Sequence, residues 1–118
     1  MATCRVGTFR DLAVYRRSVL LSDALHRCVA GWSSFDRWTV GVQLVRSVDS
    51  IGANIAEAAG RESNPDQRRF LVTARASVLE VQHWLDRARE RGLPIPPDAE
   101  RDAVEIGRMV NGLVKTRT

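Results

Sequence analysis

The chain has 118 residues, 44% hydrophobic and 27% charged, a balance that fits one soluble globular domain and excludes a disordered or fibrous polypeptide. No apolar run approaches the ~20 residues needed to cross a bilayer, and Met1 to Arg5 hold no apolar signal-peptide core, so the expected location is cytoplasmic, with no membrane partner. The net charge is +4, with 17 arginines against the single Lys115; such a surface suits nucleic acid, although +4 is also ordinary for solubility and a GC-rich genome equally favours arginine.

In chain order, Thr8 with Asp11 three residues on has the form of a capping box and opens a helix over about residues 9–30. Leu12, Val14, Tyr15, Val19, Leu21, Leu25, Cys28 and Val29 cover a wide arc of it, as in a helix that touches more than one neighbour. Gly31 stands where it should end. Cys4 and Cys28 are expected as reduced thiols, with Cys28 packing as a small hydrophobe. Ser33 and Ser34 offer an N-cap to a second helix over about residues 35–59, whose core stripe is Trp38, Leu44, Val45, Val48, Ile51, Ile55 and Ala59. Gly52 inside it marks a bend or a close helix approach, and Gly60 ends it.

Asn64-Pro65-Asp66-Gln67 reads as a third helix start, with Asn64 as cap, Pro65 in the first position and Gln67 three residues after the cap. That helix covers about residues 65–91, and Gly92 closes it. Pro94, Pro96 and Pro97 make a stiff, non-helical connector. Asp98 then caps a fourth helix over about residues 98–114, with Ala99, Ala103, Ile106, Val110 and Leu113 as its stripe. Four amphipathic helices with short connections predict an all-α, antiparallel, up-down-up-down four-helix bundle, a single domain over residues 1–118.

The third helix has two apolar faces. Phe70, Leu71, Ala74, Ser77, Val78, Val81, Trp84, Leu85 and Ala88 recur at the i+3, i+4 and i+7 spacing of one helix side. Val72, Ala76 and Leu79, continued by His83, form a narrow seam well over a right angle away, at about 100° per residue. One face can bury against its own chain, and the other then asks for a partner, most simply a second copy. Protonation of His83 near pH 6 offers a way to loosen such a contact.

Three stretches together resemble the bacterial 23S rRNA intervening-sequence protein family: FRDLAVY at residues 9–15, QLVRSVDSIGANIAE at 43–57 followed by Gly60-Arg61, and RFLVTARASVLE at 69–80. The family pattern reads roughly F-x-D-L-x-V-[WY], then Q-[LI]-x-R-A-x-x-S-I-x-x-N-I-A-E-G, then R-F-L-x-x-A-x-G-S. Ser47 replaces the family's Ala after Arg, Ala58 its Gly after Glu, and Ala76 its Gly before Ser. Ala58 and Ala76 favour helix over turn, so the bundle stands, while a close helix contact is open to change. The resemblance covers about residues 9–93. It implies a homopentamer, since similar bacterial bundles assemble as pentameric rings, and the location of such genes within rRNA genes hints at nucleic acid.

Candidate functional residues follow from the charges. Arg61 precedes the third helix, and Arg68, Arg75 and Arg89 follow at multiples of seven along it, with Gln82 filling the gap and Arg69 and Arg87 beyond the seam. Aligned guanidinium forks can track a phosphate backbone; equally, they can rim a subunit interface and pair with Asp86, Asp49 or Glu80. Asn54 and Glu57, with Arg61 at i+4 from Glu57, read either as a charge-paired helix end or, with Arg75, as a buried polar network fixing register between two helices.

Catalysis finds no foothold. The E-x-x-H spacing of Glu80 and His83 echoes di-iron bundles, as Asp23 and His26 do, but His83 lies nearly opposite the main apolar face. No catalytic residues, metal or cofactor are expected, and no G-x-S-x-G or Gly-rich phosphate loop is present. The expectation is a non-enzymatic homo-oligomeric scaffold or adaptor that contacts RNA or DNA through arginines. The alternative is a protein–protein interaction module without nucleic-acid affinity, serving a genomically neighbouring protein.

Overall fold

The computed structural model describes residues 9–118; Cys4 and the Thr8 cap lie outside them. The first helix, α1 (Ala13–Ala30), starts later than the pattern suggested: Phe9–Asp11 form a 3-10 turn, and Leu12 occupies the N-cap position without a side-chain cap. Its inward face is Val14, Ser18, Leu21, Leu25 and Val29. Ser18 Oγ donates to the Tyr15 carbonyl at 2.7 Å, so the buried hydroxyl is satisfied.

The second helix is not uniform. An α turn (Ser34–Asp36) runs into a π turn (Arg37–Gly41) and then into α2 (Val42–Ala59). Ser33 is the cap, its Oγ accepting from Asp36 N–H. The π turn revises the expected core stripe. A π turn spends one residue more than an α turn, so positions before it are rotated by roughly 100° from where α periodicity puts them. Val40 and Gly41 are buried, while Trp38 is 73% exposed. At the other end Ala58 is buried and Ala59 exposed, one position off the expected stripe.

Gly41 is needed where the π turn meets α1. A Cβ there would lie 2.7 Å from Val29 Cγ1 and 3.1 Å from the Asp36 carbonyl oxygen. Val29 is β-branched and buried, and Asp36 O is backbone, so neither can yield cheaply. Gly41→Ala gains up to ~1 kcal/mol of helix propensity and incurs ~1–3 kcal/mol of overpacking. A net loss is expected in chemical denaturation. Gly52→Ala, with a nearest contact of 3.3 Å to Ser18 Oγ, is expected to cost less. Gly52 thus marks a close approach to α1.

The third helix, α3 (Asn64–Glu90), is capped by Ser63, whose Oγ accepts from Asp66 N–H at 3.2 Å. Asn64, the expected cap, is instead the first helical residue, because the serine before it already meets the orphan donor. The C-terminus closes in a Schellman motif: Gly92 has φ +74°, its N–H reaches Arg89 O, and Leu93 N–H reaches Ala88 O at 2.9 Å. The proline connector is tied down by residues 62 and 66 positions earlier in the chain, as Trp32 Nε1 donates to the Pro94 carbonyl at 3.0 Å and Cys28 Sγ shares that acceptor at 3.1 Å. Burial pushes the Cys28 thiol up from its ordinary pKa, so it stays protonated at neutral pH and suits that donor role.

The last helix, α4 (Ala99–Lys115), buries Ala99, Ala103, Ile106, Val110 and Val114. Leu113, expected in that stripe, is only half-buried, and Val114 takes its inner place. Asp98 stands at the N-cap position but its carboxylate turns to Arg101 at 3.3 Å and caps nothing.

Each helix packs on its chain neighbours and α4 returns to α1, which closes a four-helix bundle around one core. The shape is 48 × 29 × 21 Å. At 27 residues α3 runs about 40 Å, longer than the others at 17 or 18.

Candidate functional site

The two faces of α3 separate as their spacing implies. Leu71, Ala74, Ser77, Val78, Val81, Leu85 and Ala88 are buried, and Phe70 and Trp84 pack half-buried at the margin. On the outer seam Val72 is half-buried, while Ala76, Leu79 and His83 are exposed. Leu79 leaves 64% of its surface uncovered. It shares a shallow groove with Val104 of α4, edged by Gln82, His83, Asp86, Arg89 and Glu100. Val104 is 40% exposed. It sits one position past the α4 stripe, so its off-stripe apolar character was the available signal. His83 stacks edge-on against Trp84, with ring centroids 4.7 Å apart.

The arginine row is largely engaged by its own chain. Arg61 pairs with Glu57 at 2.6 Å, lies over the Phe70 ring at 4.7 Å, and keeps a buried Nε without a partner. Arg69 pairs with Asp66 at 3.1 Å and its guanidinium lies 4.5 Å from the same ring centroid. Arg87 approaches Asp86 at 4.0 Å. Arg89 is held by Asp86 and Glu100, and its hydrogen bond to Glu100, with that charge, raises its pKa further above the ordinary arginine value. Arg75 Nη1 donates to Asn111 Oδ1 of α4 at 2.8 Å. Arg68 alone of the six is exposed with neither hydrogen bond nor ion pair among the described residues. Exposed pairs of this kind contribute only ~0–1 kcal/mol to stability, but they do offset the local positive field.

Asn54, Glu57 and Arg75 take three different partners and so do not form one network. Asn54 Nδ2 donates to the Ser50 carbonyl at 2.9 Å and to Ser50 Oγ at 3.1 Å, and Ser50 Oγ meets Ser77 Oγ at 2.8 Å. The polar bridge between α2 and α3 is therefore built from serines, with Asn54 behind them. Glu57 serves Arg61, and Arg75 joins α3 to α4. Ser50 and Ser77 were missed because short hydroxyl side chains give no sign in sequence of facing one another across 27 residues.

A second surface was also missed. Trp38, placed in the core by periodicity, instead walls an open groove of about 300 Å³ between α1 and the π turn. His26, Arg37 and Arg46 supply its polar lining, and Val29, Val42 and Val45 much of its apolar lining. Arg37 Nη1 donates to the Trp32 carbonyl at 3.1 Å.

Among the described residues, no three His, Cys, Asp or Glu side chains gather as a metal site. No helix among them is long and apolar enough to cross a membrane. A family model described as 23S rRNA-intervening sequence protein matches residues 10–112. No curated protein matches the chain.

Proposed function

The chain belongs to the 23S rRNA-intervening sequence protein family, and from that premise we propose that it is a non-enzymatic, homo-oligomeric scaffold that holds nucleic acid electrostatically. The exposed seam carries the assembly half of this reading. Leu79 and Val104 lie uncovered side by side on a face that a lone subunit leaves wet, and a second copy is the simplest cover. Five copies is the number implied by the family resemblance. The net charge of +4 supports the nucleic-acid half, and the family's description names a ribosomal RNA sequence, which makes RNA the first ligand to try.

The test has two parts. Sedimentation is expected to give a multiple of the 13.2 kDa chain mass; a monomer at all concentrations would overturn the assembly. Titration of labelled RNA or DNA is expected to show affinity that falls linearly on a log–log plot against salt; absent binding at low salt would overturn the ligand. The ion pairs of Arg61, Arg69 and Arg89 favour the second reading, a protein–protein module serving a neighbouring gene product, and that reading takes over if binding is absent while the oligomer persists.

A further inference from the structure

Phe35 and Trp38 are the most exposed large hydrophobic side chains among the described residues, at 77% and 73%. A globular chain gains nothing in folding from two aromatics held in water. The π turn over residues 37–41 is what holds Trp38 there, and such turns are frequent at functional sites. The groove that Trp38 walls is cationic: Arg37 and Arg46 line it with His26, and no acid does. Arg46 is exposed and enters no hydrogen bond or ion pair among the described residues, while Arg37 has given up only one donor, to Trp32 O. The acids nearest in sequence, Asp36 and Asp49, accept from Ser33 and Ser22, and among the described residues neither forms an ion pair with Arg37 or Arg46. Exposed aromatic faces, free guanidinium forks and an acid-free apolar trough are complementary to a flat base joined to phosphates.

We propose that this groove binds single-stranded nucleic acid, with a base stacked on Trp38 and the adjoining phosphates held by Arg46 and Arg37. The ligand class rests on the function proposed above; the residues do not, since they replace the α3 arginine row as the contact surface. A single strand fits better than a duplex because only unpaired bases offer their faces to an aromatic side chain. Stacking of this kind is tolerant of sequence, so oligouridylate and oligothymidylate should both bind.

The experiment is an anisotropy titration of short labelled oligouridylate, oligothymidylate and a hairpin duplex against the full chain and its Trp38→Ala, Arg46→Glu and Arg68→Glu variants. Trp38 and Arg46 are both exposed, so neither change should disturb folding, which thermal melts will report. Trp38→Ala is expected to weaken single-strand binding about tenfold or more. Arg46→Glu is expected to weaken it and flatten the salt slope by about one, with Arg68→Glu close to wild type. Wild-type binding that Arg68→Glu abolishes, and that Trp38→Ala and Arg46→Glu leave intact, would overturn this site while sparing the nucleic-acid function. Failure of the wild type to bind any oligonucleotide would overturn both. A fall in oligomer mass on Trp38→Ala would identify the groove as a contact between copies and overturn the proposal.

Discussion

On the proposed assembly, Leu79→Arg should convert the oligomer to monomers of 13.2 kDa at concentrations where that assembly predicts an intact wild-type oligomer. Leu79 is 64% exposed on its own subunit, so the substitution leaves the bundle core untouched and the helix content and melting temperature should change little. At the interface the effect is large. An uncompensated charge left buried costs ~3–5 kcal/mol, a factor of roughly 10² to 4 × 10³ in each contact. In a closed ring every subunit uses the face, so every contact is weakened at once. Light scattering or sedimentation reads the result. Leu20→Arg on α1, at a comparable 67% exposure, serves as the comparison for a generic effect of surface charge. An unchanged mass for Leu79→Arg would move the interface elsewhere on the bundle.

Trp32→Ala should be the most destabilising single change of those considered. The indole is 5% exposed and its Nε1 holds the Pro94 carbonyl at 3.0 Å, so one side chain both fills the core and pins the connector. Truncating a buried Trp costs ~3–5 kcal/mol, about 12–20 °C in melting temperature for a chain of this size. Trp32→Phe keeps one six-membered ring but loses the donor and the rest of the buried indole, with Cys28 Sγ still within 3.1 Å of that acceptor; a loss of ~1–3 kcal/mol, hydrogen bond and small cavity together, is expected. Amide exchange at Leu93 and Ile95 should quicken in both variants, more in the alanine. A Trp32→Ala loss below ~1 kcal/mol would mean the connector does not depend on this anchor.

The helices and the seam were legible because both are local. Leu71, Ala74, Val78, Val81 and Leu85 share a face by spacing alone, and the out-of-phase Val72, Ala76 and Leu79 betray a second face by the same arithmetic. The helix stops were legible where glycine chemistry is decisive, as at Gly92 with its positive φ. The caps were less so: Ser63 and Asn64 are both good N-caps, and sequence does not choose between adjacent candidates. Trp38 shows the sharper failure. Its place was extrapolated by α periodicity from the stripe that follows it, and the π turn in which it lies turned it from the core into water.

The candidate site was less legible than the fold. Six arginines stood out by spacing, but which of them are free depends in part on acceptors brought near by packing. Glu100 reaches Arg89 from α4, and Asn111 reaches Arg75 across 36 residues. The family, the number of helices and the uncovered seam thus follow from order and period along the chain, since helix formation and amphipathicity are set within a few turns. The serine bridge from Ser50 to Ser77, the Trp32 hold on Pro94, the reach of Glu100 and Asn111 from α4 to Arg89 and Arg75, and the outward Trp38 were decided only in three dimensions. Hydrogen bonds and ion pairs act over a few ångströms in space, and separation along the chain carries no record of that distance.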